Sequence, residues 1–262
     1  MTTPLPLSVW PPGIARDHGL RDRVDLFIDE SGPRSDGTFA LGVVLVESPL
    51  ADAALDYLEW VASRLEEDHP ALTSPNYEGG WKGRLLARAP ASAKERRAVG
   101  RGDLLSDVAR QAVYARCLDA VRTSPGTRAL ALTYRWTGPV RGPADEEGYR
   151  VRRAVQYALS ALSVHAVEVR HAYIDDGHGE HYTAGFLEHA VASGSVPVPH
   201  EYVRAATDRR VQAADLIAFA AHSSRFPGGS RVFPTAHGWL AGFVGDRLIK
   251  ADQAADHHVT EP

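Results

Sequence analysis

"VDLFIDESGPRSDGTFALGVVLVE", residues 24 to 47, decides how the rest of the chain is read. Two apolar, β-branched runs, 23–29 and 38–47, flank a loop rich in Gly, Pro, Ser and Asp. That is the pattern of two strands joined as a hairpin. The first run ends on two adjacent carboxylates, Asp29 and Glu30. Turn chemistry accounts for Asp, Ser and Gly there but not for a second carboxylate, so the alternative is that the strand holds charge at a fixed point for use.

Working outward, Leu55, Leu58, Ala62 and Leu65 recur at helical spacing between Ala51 and Glu67, with acids between them, and predict an amphipathic helix. A second helix is expected over about 103–121, with Leu104, Val108, Ala112, Ala115 and Leu118 along one side. "TRALALTYRW" (127–136) alternates strictly, Leu130, Leu132, Tyr134 and Trp136 against Ala131, Thr133 and Arg135, as a strand with one buried face does. A helix over 149–165 leads to a strand in "VEVRHAYIDDG" (167–177), which again ends in carboxylates, Asp175 and Asp176. A short helix stopped by Gly194, a strand in "PHEYVRAA" (199–206) and a last helix in "RVQAADLIAFAAHSS" (210–224) complete the series. Five strands, the late ones alternating with helices, predict an α/β chain: a mixed sheet with parallel members and helices packed against it.

The chain has 262 residues, 44% hydrophobic and 24% charged, the make-up of a globular protein. Its single cysteine, Cys117, permits no internal disulfide and points to a reducing, cytoplasmic setting. The Pro-rich opening lacks both a basic start and a long apolar run, so neither a signal peptide nor a membrane anchor is expected. A net charge of −4 argues against a wholly basic nucleic-acid coat. Yet Lys82, Arg84, Arg88, Lys94, Arg96, Arg97 and Arg101 face only one acid, Glu95, within 82–101. Arginine-rich segments suit phosphate, although a chain with three lysines in all shows a general preference for arginine. No feature of the sequence sets an oligomeric state.

The strongest physical signal is Asp215. Its helix carries Val211, Ala213, Ala214, Leu216, Ile217, Ala218, Phe219, Ala220 and Ala221 and is apolar nearly all round, so it must be buried. An ionised carboxylate there costs several kcal/mol unless it is paired or metal-bound. A salt bridge to Arg209 or Arg210 is the structural explanation. If strands one and four are parallel neighbours, however, Asp29, Glu30 and Asp175 lie side by side, and the last helix can lay Asp215 over them. Such a cluster is relieved by raised pKa values or by a divalent cation, and hard oxygen ligands select magnesium or manganese. Two such ions about 4 Å apart can activate water and stabilise the leaving oxygen of a phosphodiester.

"FIDESG", "AYIDD" and "VQAADLIA", in this order over residues 23 to 224, resemble the markers of a bacterial family catalogued as domain of unknown function number thirty-eight hundred. The resemblance implies a ribonuclease H-like fold: a five-stranded mixed sheet flanked by helices, with a helical insertion between strands two and three. It implies one domain over 1–262, with extensions at 1–22 and 225–262, the insertion at 48–127, and a polar, disordered tail. It also implies a metal-dependent nuclease, a hydrolase, with Asp29, Glu30, Asp175 and Asp215 as metal ligands and catalytic residues, and Gln212 beside them. Members often carry Glu-x-Lys or Glu-x-His after the second strand; here Lys82 is present but Gly80 stands two before it. The glutamate that ribonuclease H relatives take from the helix before strand four has no counterpart beyond Glu146 and Glu147 at that helix's start.

Asp176, Gln212, Lys82, His178 and His181 form a second tier. The two histidines could ligate metal or pass a proton to a leaving group, or simply belong to a solvated loop, the commoner case. Trp81 could stack on a base or pin its loop to the core. Arg84, Arg88, Arg96 and Arg97 are the candidates for nucleic-acid backbone contact. Three functions remain in view: a magnesium- or manganese-dependent nuclease, a nucleic-acid or protein-binding module on the same fold without turnover, and a small-molecule phosphoesterase.

Overall fold

The computed structural model describes residues 23–31, 38–73, 81–87, 105–135, 169–175 and 200–225. Strand β1 (Val24–Ser31) and strand β2 (Thr38–Glu47) form the expected antiparallel pair. Helices α1 (Ala51–Asp68), α2 (Gly83–Ala87) and α3 (Asp107–Thr123) follow, then β3 (Thr127–Arg135), β4 (Val169–Asp175), β5 (His200–Val203) and helix α4 (Arg209–Arg225). The sheet order is β3-β2-β1-β4-β5. β3 is antiparallel to β2, whereas β4 is parallel to both β1 and β5. This is the expected five-stranded mixed sheet flanked by helices, with helices between its second and third strands, the ribonuclease H-like arrangement. The expected helices over 149–165 and before Gly194 lie outside the described residues.

Strand pleating sorts the side chains. Asp25, Phe27 and Asp29 share one face of β1, opposite Val46, Val44 and Gly42 of β2 and beside His171 and Tyr173 of β4. Helix α4 crosses this face. A Cβ added to Gly42 would fall 2.1 Å from the Ala214 carbonyl oxygen and 2.7 Å from the Ala218 nitrogen, so only glycine lets α4 ride this close to the sheet. On the opposite face Val24, Leu26, Ile28, Leu41, Val43, Leu45, Ala172 and Ile174 are buried too, so the sheet is covered on both sides.

Three local expectations shift. β1 does not stop at Asp29: Glu30 pairs with Leu41 and Ser31 with Ala40, because side-chain charge at a strand end does not prevent its backbone from continuing the ladder. α3 begins at Asp107 rather than 103, where Ser106 accepts the Ala109 N–H at 3.2 Å as an N-cap. Its core side is Val113, Tyr114, Cys117, Leu118 and Val121, and Val108 is 78% exposed. On β3 the buried described side chains are Thr127, Ala129 and Ala131, kept small where α3 and α4 press on the sheet.

Candidate functional site

Parallel pairing of β1 with β4 runs through Phe27 with Tyr173 and Ile28 with Ile174, so the next step brings Asp175 beside Asp29. The two rings stack at 4.8 Å just below that point. α4 supplies the third carboxylate, since Asp215 follows the residue that touches Gly42, and Gly42 is the cross-strand partner of Asp29. Glu30 leaves the pleat on the other side of β1, yet its charge acts on both Asp29 and Asp215. Four carboxylates expected from the sequence thus meet at one end of the sheet.

Each is held differently. Asp29 is 3% exposed; its Oδ1 accepts the Glu30 N–H at 2.7 Å, while its Oδ2 is buried with no hydrogen-bond partner. Burial first, then the charges of Asp215, Glu30 and Asp175, push its pKa well above the carboxylate range, and Lys82 opposes them. Asp215 Oδ2 accepts the Gly83 N–H at 2.5 Å. Burial raises its pKa to about 6 against the pull of Lys82 and of that hydrogen bond. Asp175 Oδ1 accepts the Ala205 N–H at 2.9 Å, in a short 3-10 turn between β5 and α4.

The arginines that could have paired with Asp215 are engaged elsewhere. Arg209 donates to Glu59, Glu66 and Gln212. Arg210 forks onto Asp208, reaches the Ala51 carbonyl, and lies 4.3 Å over the Phe27 ring. Gln212 Oε1 also takes the Trp81 N–H at 3.2 Å, so this residue ties the insertion to α4. Trp81 is buried at 2% exposure and pins its segment to the core. Asp176, His178, His181, Arg88, Arg96 and Arg97 lie outside the described residues, as does the side chain of Arg84.

Sequence reasoning missed two parts of this neighbourhood. The backbone N–H groups of Gly83 and Ala205 are invisible as motifs, because any residue can supply them. Asp25 is different: it is 1% exposed and accepts from Arg170 Nε at 2.9 Å and Nη2 at 2.8 Å. A period-two count from Asp29 would have placed it on the same face.

Divalent cations suit this donor set in kind: all oxygen, several negative charges, and one buried oxygen without a partner. Among the described residues, no three His, Cys, Asp or Glu side chains already stand in ion-holding positions. Asp215 and Asp175 each spend one oxygen on a backbone N–H, and a carboxylate can keep such a bond on one oxygen while it binds a cation with the other.

No family model matches the chain, and no curated protein does. Among solved structures it is similar to ribonuclease H2 from Pyrococcus horikoshii OT3, at 13% identity and a TM-score of 0.40, over 88% of this chain and 95% of that one. It is also similar to the ribonuclease HII of Archaeoglobus fulgidus, solved in complex with PCNA, at 14% identity and a TM-score of 0.37, over 84% and 88%. At this level of likeness nothing about activity passes to the chain. Its fold rests on strand order and polarity, its chemistry on the side chains. No helix among the described residues is long and apolar enough to cross a membrane.

Proposed function

We propose that the chain is a cytoplasmic, magnesium- or manganese-dependent hydrolase of phosphodiester bonds in nucleic acid. Asp29, Glu30, Asp175 and Asp215 would hold the ions. The observation that carries the reading is Asp29 Oδ2, a carboxylate oxygen buried without a partner among three other acids. Burial and the neighbouring acids favour the protonated form of Asp29 in the empty site, and a cation is the ligand that would let the cluster ionise. Bound there, it would supply water activation and stabilisation of the leaving oxygen.

The chain's own residues do the rest. Asp215, with a pKa of about 6, is ionised at neutral pH. Glu30 is buried, and its charge acts on both Asp29 and Asp215. Arg84, Arg88, Arg96 and Arg97 would neutralise backbone phosphates and hold a strand near the carboxylates. The decisive test incubates purified protein with labelled RNA, DNA and hybrid, with and without manganese, beside Asp29→Asn. Manganese-dependent cleavage lost in the variant supports the proposal. Binding without cleavage across all substrates would leave the binding module, and turnover of small phosphodiesters alone would leave the small-molecule phosphoesterase.

A further inference from the structure

The segment Trp81–Gly83 is fastened to α4 at three points. The Trp81 N–H reaches Gln212 and the Gly83 N–H reaches Asp215, one helical turn apart. At Gly83 the backbone lies so near α4 that a Cβ there would fall 2.6 Å from the Phe219 Cβ and 3.3 Å from the Asp215 carbonyl oxygen. The Trp81 side chain is buried in the core. The backbone of residue 82 is therefore held beside α4, and its neighbour's N–H is bonded to the Asp215 carboxylate itself. The half-buried lysine at that position carries a positive charge that acts on Asp29 and Asp215.

We infer that Lys82 is the site's resident counter-cation, set in place by the Trp81–Gln212 and Gly83–Asp215 clamp, and that it shares the carboxylates with an incoming divalent ion. Its charge bears on Asp29 and Asp215 together, so it does for the empty cluster part of what a metal would do. A second cation entering the cluster must meet it as a like charge. Lys82 is then a positioning residue whose removal has opposite effects on the two states. The cluster without metal loses a charge that opposes its own, while the cluster with metal loses a competitor.

This sign reversal is what the experiment reads. Lys82→Gln should lower the melting temperature in chelator by a few degrees and, in calorimetry with manganese alone, tighten binding on the order of tenfold. Lys82→Arg, which keeps the charge, should stay near wild type in both. Combined with Asp215→Asn, Lys82→Gln should cost less than half of what it costs alone, because its partner's charge is gone. Equal cost in both backgrounds, or manganese binding that is unchanged or weaker, overturns the inference. The metal arm rests on the proposed function, whereas the double-mutant cycle does not. Wild-type protein that takes up no manganese would refute the metal site, and the cycle would still decide whether Lys82 is the counter-cation.

Discussion

Asp215→Asn is the sharpest single perturbation, because structural and functional readings of the residue predict opposite signs. Burial lifts the carboxyl from its ordinary 3.8 to about 6. At about 1.4 kcal/mol per pH unit, the ionised form costs the folded state about 3 kcal/mol at pH 7.5. Asp215 is half-buried, and the solvent it reaches reduces that figure, so a gain of about 1–3 kcal/mol is expected on removing the charge. Asparagine keeps the oxygen that takes the Gly83 N–H, and its amide adds a donor within a cluster where Asp29 Oδ2 lacks one. Between pH 3.8 and 6 the folded state binds more protons at this position than the unfolded chain. Stability owed to Asp215 is therefore highest below pH 3.8, falls as pH rises to about 6, and is level above. Urea denaturation in chelator should show the variant more stable at pH 7.5, with the advantage vanishing by about pH 4. The corresponding rise in melting temperature is on the order of 5 °C. A variant less stable than wild type at pH 7.5 would mean that the ionised carboxylate is a structural ion-pair partner, and the case for a ligand site would fall with it.

Asp29→Asn should abolish the manganese-induced rise in melting temperature that wild type shows, since binding to the folded state alone stabilises it; an equal rise in both proteins would remove Asp29 from the site. Manganese affinity of wild type should climb between pH 5 and 7 as Asp215, with its pKa of about 6, gives up its proton, and a flat profile by calorimetry would count against Asp215 as a ligand. Gly42→Ala should cost several kcal/mol or prevent folding, because backbone atoms of α4 lie where its Cβ would go; a normal melting curve would mean that α4 does not seat on β2 as described. Changing Arg84, Arg88, Arg96 and Arg97 together to Gln should weaken binding to every nucleic-acid sequence alike and flatten the plot of log affinity against log salt. Identical slopes would send the search for a substrate path to Arg204, Arg209 and Arg210.

The elements that periodicity could see were legible: the hairpin from "VDLFID" to "FALGVVLVE", the amphipathic α1, and the apolar α4 all stand where their patterns put them. Where patterns competed, reading failed. Val108 fits the helical stripe of α3 by spacing, but Ser106 caps the helix there and leaves it in solvent, while Tyr114 turns inward to give its hydroxyl to the Leu216 carbonyl. The convergence of Asp29 and Asp175 was legible only as a condition, that β1 and β4 be parallel neighbours, which the register fulfils. The clamp was not legible at all. "WKG" reads as part of a basic loop, and nothing in its composition says that two of its backbone N–H groups meet side chains more than a hundred residues away.

The two tight glycine contacts explain why the acids meet at all. Gly42 lets α4 approach the sheet over the cross-strand partner of Asp29, and Gly83 lets the insertion approach α4 at Asp215. Any larger residue at either position would hold the elements apart and separate the charges, a relief that stability alone would favour. A fold at ordinary stability has about 5–15 kcal/mol in hand, and the ionised Asp215 by itself opposes that by up to about 3. Replacing buried charge by apolar side chains is commonly neutral or stabilising. The chain does the reverse: it brings Asp29, Glu30, Asp175 and Asp215 together, holds three of them by backbone N–H groups, and leaves one oxygen of Asp29 with no partner. Packing gives no reason for that arrangement. A bound cation supplies one, because the same close approach that destabilises the empty site is what lets several carboxylates share an ion.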